Sequence, residues 1–224
     1  INPLVGTNKK RRILKMMKKG FTLAEVLITL VIIGVVASMT IPTLMNSTQG
    51  TEYKTGFKKA MSTLNQAFSL NYAITATLPG EDDYASNKGM LDYFFKKRLS
   101  VISTSTSTSA FATGDGVTIT ASNDNNVFYT SDGMRYVFNI DNKSGVADST
   151  GDKYYGTILV DVNGEKGPNT LTTDATNPKD TYVMTFYGTR VVAGIPGKED
   201  GASGAAKTIM MEKKTKESTR NNNG

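Results

Sequence analysis

Between Phe21 and Ile41 the chain runs for 21 residues with one ionisable side chain, Glu25. A helix of that length rises about 30 Å, the thickness of a bilayer's hydrocarbon core. Two plain readings exist for such a run. One is a signal anchor. The other is a cleaved secretory signal with a small-residue site near Val35-Val36-Ala37, but that site is poor and the run is long for a signal core. Neither reading accounts for Glu25, since a carboxylate at membrane depth costs on the order of 2–3 kcal/mol even on lenient insertion scales.

The charges around the run orient it. Residues 1–20 hold seven basic side chains (Lys9, Lys10, Arg11, Arg12, Lys15, Lys18, Lys19) and no acid. The formal net charge of +6 therefore belongs to the amino-terminal end, and residues 21–224 are close to neutral. Positive charge before an apolar run keeps that end cytoplasmic. The apolar continuation also argues against reading Lys10-Arg11-Arg12 as a nucleic-acid patch, so nucleic acid is not an expected partner. Translation is expected to start at Met16 or Met17, with residues 1–15 a mis-called extension and 1–20 the leader as written.

Glu25 lies near the helix start and could snorkel to the interface, but a positive partner is the better answer. If the chain is cut between Gly20 and Phe21, a new α-amino group appears one helical turn before Glu25. In a copy packed alongside with an axial offset, that amine meets its neighbour's carboxylate, and the charge becomes a register device. Repetition of one heterologous contact gives an open helical filament.

Lys18-Lys19-Gly20-Phe21-Thr22-Leu23-Ala24-Glu25, followed by Val26-Leu27-Ile28, resembles the cleavage and methylation signal of type IV pilins and type II secretion pseudopilins. The resemblance covers about residues 18–45. It implies that Gly20 ends the leader, that Phe21 becomes the N-methylated first residue of the mature chain, and that Glu25 is the assembly glutamate. It implies as partners a prepilin peptidase, an inner-membrane assembly platform, membrane lipid before assembly, and copies of the chain or other pilins in a helical filament. It implies a single pass through the cytoplasmic membrane with the head outside the cytoplasm, then a filament. Pro42 falls where such chains place a helix-perturbing proline; a kink there and a helix that ends there both remain open.

After a polar stretch at Asn46–Gly50, read as a hinge, Tyr53, Phe57, Met61, Leu64, Phe68 and Tyr72 recur at helical spacing. Residues 46–78 are thus expected to be an amphipathic continuation of the 21–45 segment, helical to about 76 and stopped by Leu78-Pro79-Gly80. A short helix is expected over about 88–99, and a polar loop over Ser103–Ser109. Alternating residues then mark strands near 117–121, 127–130, 134–140, 158–162 and 182–192. Short turns between them favour an antiparallel sheet. The expected fold class is α+β: a long amino-terminal helix packed on a carboxy-terminal antiparallel sheet, which is also what the pilin resemblance implies. The head is placed at 79–193, and 194–224, rich in Gly and Ala and then basic, is read as a flexible tail.

The chain has no cysteine and no histidine, which excludes disulfides, thiolate chemistry and a Ser-His-Asp hydrolase. Asp161, Asn163, Glu165, Asp174 and Asp180 form an acidic loop with glycine turns, read as a candidate Ca²⁺ site that the pseudopilin resemblance favours. The plainer reading is a turn with solvated carboxylates, and no cofactor is required. Asp141, Asp148 and Asp152 make a weaker acidic loop. The leading function is a structural filament subunit, not an enzyme. The alternatives are a minor pilin whose head binds DNA or a surface ligand (through Arg135, Lys143, Lys153 and Arg190), a generic signal-anchored surface domain, and a membrane-anchored hydrolase working through paired carboxylates.

Overall fold

The computed structural model describes residues 20–78, 91–105, 110–112, 118–120, 127–139 and 145–221. The chain forms two compact units, one up to Met45 and one from Asn46 onward.

Gly20, Phe21 and Thr22 are non-helical, and helix α1 spans Leu23–Thr75. In the first unit its side chains are exposed: Leu23, Val26, Leu27, Ile28, Leu30, Val31, Ile32 and Ile33 all stand open. The few hydroxyls in this stretch bond back to their own helix. Thr29 Oγ1 donates to the Val26 carbonyl at 2.9 Å, Ser38 Oγ to Val35 at 2.7 Å and Thr40 Oγ1 to Val36 at 3.0 Å. Each is satisfied without water, as an apolar surrounding requires. The helix runs through Pro42 and through 46–50. This removes the reading that the membrane helix stops at the proline and corrects the expected hinge: Thr51 Oγ1 bonds to the Ser47 carbonyl at 3.1 Å within unbroken helix.

In the second unit, α1 lays Phe57, Ala60, Leu64, Ala67, Phe68 and Asn71 into the interior. The expected stripe is right in its centre and turned at its end, because Tyr72 is 46 % exposed. At 100° per residue Tyr72 lies about 60° from Phe57, while Ala60 and Ala67 lie about 60–80° the other way. Two small side chains on that flank let the helix backbone approach the sheet, and the buried face follows them. Gly56 works alike: a Cβ there would stand 2.9 Å from Cβ of Val162. The helix ends at Thr75, next to the end expected near 76 and ahead of the Leu78-Pro79-Gly80 stop, with Ala76 in the left-handed region at φ 54°.

Leu91 and a π-helical turn at Asp92–Lys96 follow, burying Leu91, Phe94 and Phe95. These match the expected short helix over part of its range; residues 88–90 lie outside the described residues. Nine strands are described: β1 (Val101–Ser105), β2 (Ala110–Ala112), β3 (Thr118–Thr120), β4 (Val127–Thr130), β5 (Arg135–Asn139), β6 (Val146–Ala147), β7 (Lys153–Asp161), β8 (Thr181–Tyr187) and β9 (Val191–Ala193). The main sheet is antiparallel in the order β1-β4-β5-β7-β8-β9, with β6 extending the β5 edge of β7. Among the described residues β2 and β3 pair only with each other, so the strand expected near 117–121 is outside the main sheet. The polar-loop expectation for Ser103–Ser109 is corrected at its start: Ser103–Ser105 pair with β4, and 106–109 lie outside the described residues. Thr and alternate Ser, uninformative by composition, fit an edge strand once β4 offers its free backbone.

One face of this sheet carries Phe128, Tyr136, Val160 and Tyr182 in register, with Phe138, Ile158, Met184 and Phe186 beside them. Phe57 stacks on Tyr182 at 4.4 Å between ring centroids, and Phe68 meets Phe186 at 5.8 Å. The π-helical turn wedges in with Phe95 against Phe138 and Phe186 at 5.1 and 4.9 Å. Val127, Val137, Leu159 and Val183 alternate with this set and are buried too, so the central strands are covered on both faces.

The flexible-tail expectation for 194–224 is corrected over its middle. Helix α2 spans Gly201–Asn221 and packs on β8 and β9, burying Ala202, Ala205, Ala206 and Ile209. Ser203 Oγ accepts the Ile195 amide at 2.7 Å and lies 2.9 Å from the Lys198 carbonyl. A Cβ on Gly204 would sit 2.1 Å from the Glu199 carbonyl oxygen. The glycines and alanines that look like loop composition are what lets this helix approach so closely. Lys54 of α1 pairs with Glu212 at 2.9 Å.

Candidate functional site

The start of α1 is a closed hydrogen-bonding unit. Thr22 is the N-cap and Glu25 the third helical residue. Glu25 Oε2 accepts the Thr22 backbone N–H at 2.8 Å and the Thr22 hydroxyl at 2.8 Å, while Thr22 Oγ1 accepts the Glu25 N–H at 3.2 Å. This is a capping box: reciprocal bonds satisfy donors that a helix start otherwise leaves open. The negative side chain also lies at the positive end of the helix dipole. The question posed by a lone carboxylate beside an apolar run therefore has a first answer within one chain. Sequence reasoning passed over it, although the Thr-x-x-Glu spacing at 22–25 was there to read.

Gly20 and Phe21 stand just outside the cap in non-helical backbone. Phe21 is 87 % exposed and lines an open, mostly apolar notch with Glu25, Val26 and Thr29. The bond expected to be cut thus lies where no helical hydrogen bonds must be broken to reach it, and Phe21 and Glu25 share one local surface. Pro42 lies within α1, on its exposed stretch.

The acidic loop behaves differently from the calcium expectation. Asp180 is fully buried, its two oxygens accepting the backbone N–H groups of Asn169 and Thr170 at 2.7 and 2.8 Å. Glu165 accepts the Tyr129 hydroxyl at 2.5 Å. Asp174 closes on Thr176, accepting its N–H and hydroxyl at 2.8 Å each, and these bonds hold its carboxyl below the usual range. Asn163 donates to the Gly167 carbonyl, and its backbone N–H reaches Asp161 at 3.3 Å. Asp161 is buried at the end of β7. Burial first, and the neighbouring Asp180 charge second, push its carboxyl up to about 7, against the Asn163 N–H and the Arg135 charge. Ca²⁺ takes six to eight converging oxygens. Among the described residues no group of three or more acidic side chains converges. Each carboxylate is oriented by a donor of the chain itself, while Asn163 Oδ1 is buried without a partner, so the five residues are not gathered into a calcium cage in this structure.

Of the other nominated positions, Asp152, Lys153 and Arg190 line one pocket beside Tyr187, and Arg135 lies on β5. Asp148 accepts Thr150 and the Tyr187 hydroxyl, which hold it down at about 2, and Asp152 pairs with Arg190 at 2.9 Å. Lys143 and Asp141 lie outside the described residues. Arg190 stacks over the Tyr187 ring at 4.8 Å.

Residues 15–41 match the family model described as the prokaryotic N-terminal methylation motif. No curated protein and no solved structure matches the chain. The matched stretch takes in Gly20 and Phe21, the capping box and the apolar half of α1 that is long and apolar enough to cross a membrane, so the amino-terminal end of this chain carries the signature of type IV pilins and pseudopilins.

Proposed function

We propose that the chain is a structural subunit of a type IV pilus or type II secretion-like filament. A prepilin peptidase cuts between Gly20 and Phe21 and the new amino terminus is methylated. The subunit waits in the cytoplasmic membrane through the first half of α1, with its α+β head outside the cytoplasm. It then joins copies of itself or other pilins at an inner-membrane assembly platform. The observation that carries this reading is the methylation motif at residues 15–41. The exposed apolar surface of α1 supports it, since that surface needs lipid or other helices around it. In the assembled state the α-amino group of one Phe21 pairs with Glu25 of a neighbour, and the head takes a structural role rather than a catalytic one.

The test is made on the full chain in the cell that produces it. Mass spectrometry of the mature subunit is expected to show a first residue of Phe21 heavier by one methyl group, and sheared filaments are expected to contain it. Glu25→Gln is expected to be cleaved but to leave filaments scarce. A wild-type chain that stays uncut, or Glu25→Gln chains that assemble normally, would overturn the reading.

A further inference from the structure

The two carboxylate oxygens of Glu25 are not equivalent. Oε2 accepts both donors of Thr22, the backbone N–H and the hydroxyl, each at 2.8 Å. Oε1 accepts no hydrogen bond among the described residues. A glutamate side chain has three rotatable bonds, and a free one would lose that freedom when a neighbour's ammonium captured it. Here the freedom is already spent: two donors from one residue, set at the fixed geometry of an N-cap, hold the carboxylate in one orientation beside the open notch of Phe21, Val26 and Thr29. Both donors also outlast the proposed cleavage, because the cut at Gly20–Phe21 lies one residue before the Thr22 amide.

We infer that Thr22 is a positioning residue for assembly: it occupies one oxygen of Glu25 and so presents the other to the α-amino group of an adjacent copy. This rests on the filament reading. In lipid no water supplies the bonds that a lone carboxylate lacks, so Thr22 also lowers the cost of Glu25 before a neighbour arrives. When the neighbour comes, the ammonium adds a charge-assisted bond to Oε1 without displacing the two on Oε2. The carboxylate then bridges the cap of its own helix and the amino terminus of the next, which ties the axial offset between copies to the start of each helix.

The experiment separates the hydroxyl's role from plain helix capping. Glycine is nearly as good an N-cap as threonine and keeps the backbone donor, but it has no hydroxyl. Serine keeps both. Thr22→Gly, Thr22→Ser, Thr22→Val and Glu25→Gln full-length chains are compared for cleavage, N-methylation and the yield of sheared filaments. Expected is normal cleavage throughout, wild-type yield for Thr22→Ser, and a loss of about five- to tenfold for Thr22→Gly and Thr22→Val, the weight of one hydrogen bond. Thr22→Gly chains that assemble like wild type overturn the inference, as do Thr22→Ser chains as poor as Thr22→Gly. Loss of cleavage in Thr22→Gly or Thr22→Val also overturns it, since the hydroxyl would then serve the peptidase. Failure of the filament reading is distinguishable, because Glu25→Gln would then assemble normally whatever the Thr22 variants do.

Discussion

Asp161 and Glu25 are both carboxylates in poor surroundings, and the chain deals with them in opposite ways. Glu25 is given donors. Asp161 is buried beside Asp180, which already holds two backbone N–H groups, and so keeps its proton up to about pH 7. The unfolded value is about 4, so over roughly pH 4 to 7 the native state binds a proton that the unfolded chain does not. Stability from this group is complete below about pH 4, falls as pH rises toward 7 and is flat above. Asp161→Asn, which cannot ionise, is therefore expected to stabilise the head at pH 8, by on the order of 2–4 kcal/mol, and to change little at pH 4. Thermal melts of the full chain in detergent at the two pH values check this. Equal shifts at both would show that charge is not the cause. The sequence marks both acids, but only the register of β7 with β8 brings Asp161 and the Asp180 carboxylate together in the interior.

At the scale of elements, composition misled where packing decides. The stretch after Gly194 has few large apolar residues, yet α2 is docked because its small residues allow backbone-to-backbone approach. Gly204→Ala is expected to cost about 2–3 kcal/mol, since its Cβ meets the Glu199 carbonyl and neither backbone can yield cheaply. A lowered melting temperature together with faster proteolysis within 195–212 checks this. The end of α1 offers the reverse case. Ala76 occupies a left-handed, exposed position that suits glycine, and Ala76→Gly is expected to raise stability by about 0.5–1 kcal/mol in the same melt. The helical stripe from Phe57 to Phe68 and the strand runs at Tyr136–Phe138, Ile158–Val160 and Tyr182–Phe186 were legible beforehand. Large side chains repeating at a regular period can be buried together in one way only. Ser103–Ser105 were not, and of the turn at Asp92–Lys96 only the helical character and the buried Phe94 and Phe95 were, not its π form, because such conformations depend on the partner that receives them.

For the molecule as a whole, the amino-terminal unit asks for an apolar surrounding and the unit from Asn46 brings its own core. Before assembly the chain is expected to stay with membranes through high salt and alkaline carbonate washes and to come off only in detergent. Fractionation followed by immunoblotting checks this. Release by salt alone would mean that the leader's basic side chains, and not α1, hold it there.

The local and the periodic were settled by the order of residues alone. A basic amino-terminal stretch, a Gly-Phe pair where cleavage is expected, a Thr-x-x-Glu cap and a 21-residue apolar run act over a few residues, and neighbours in the chain suffice to specify them. The tertiary structure decided whatever depends on the opposite side of a contact. It seated α2, drew β1 out of a Ser/Thr tract, gave Glu165, Asp174 and Asp180 backbone or hydroxyl donors, and set Asp161 beside Asp180 in the interior. Such choices follow from close packing and from satisfying buried polar groups, and both involve residues that are far apart in the chain.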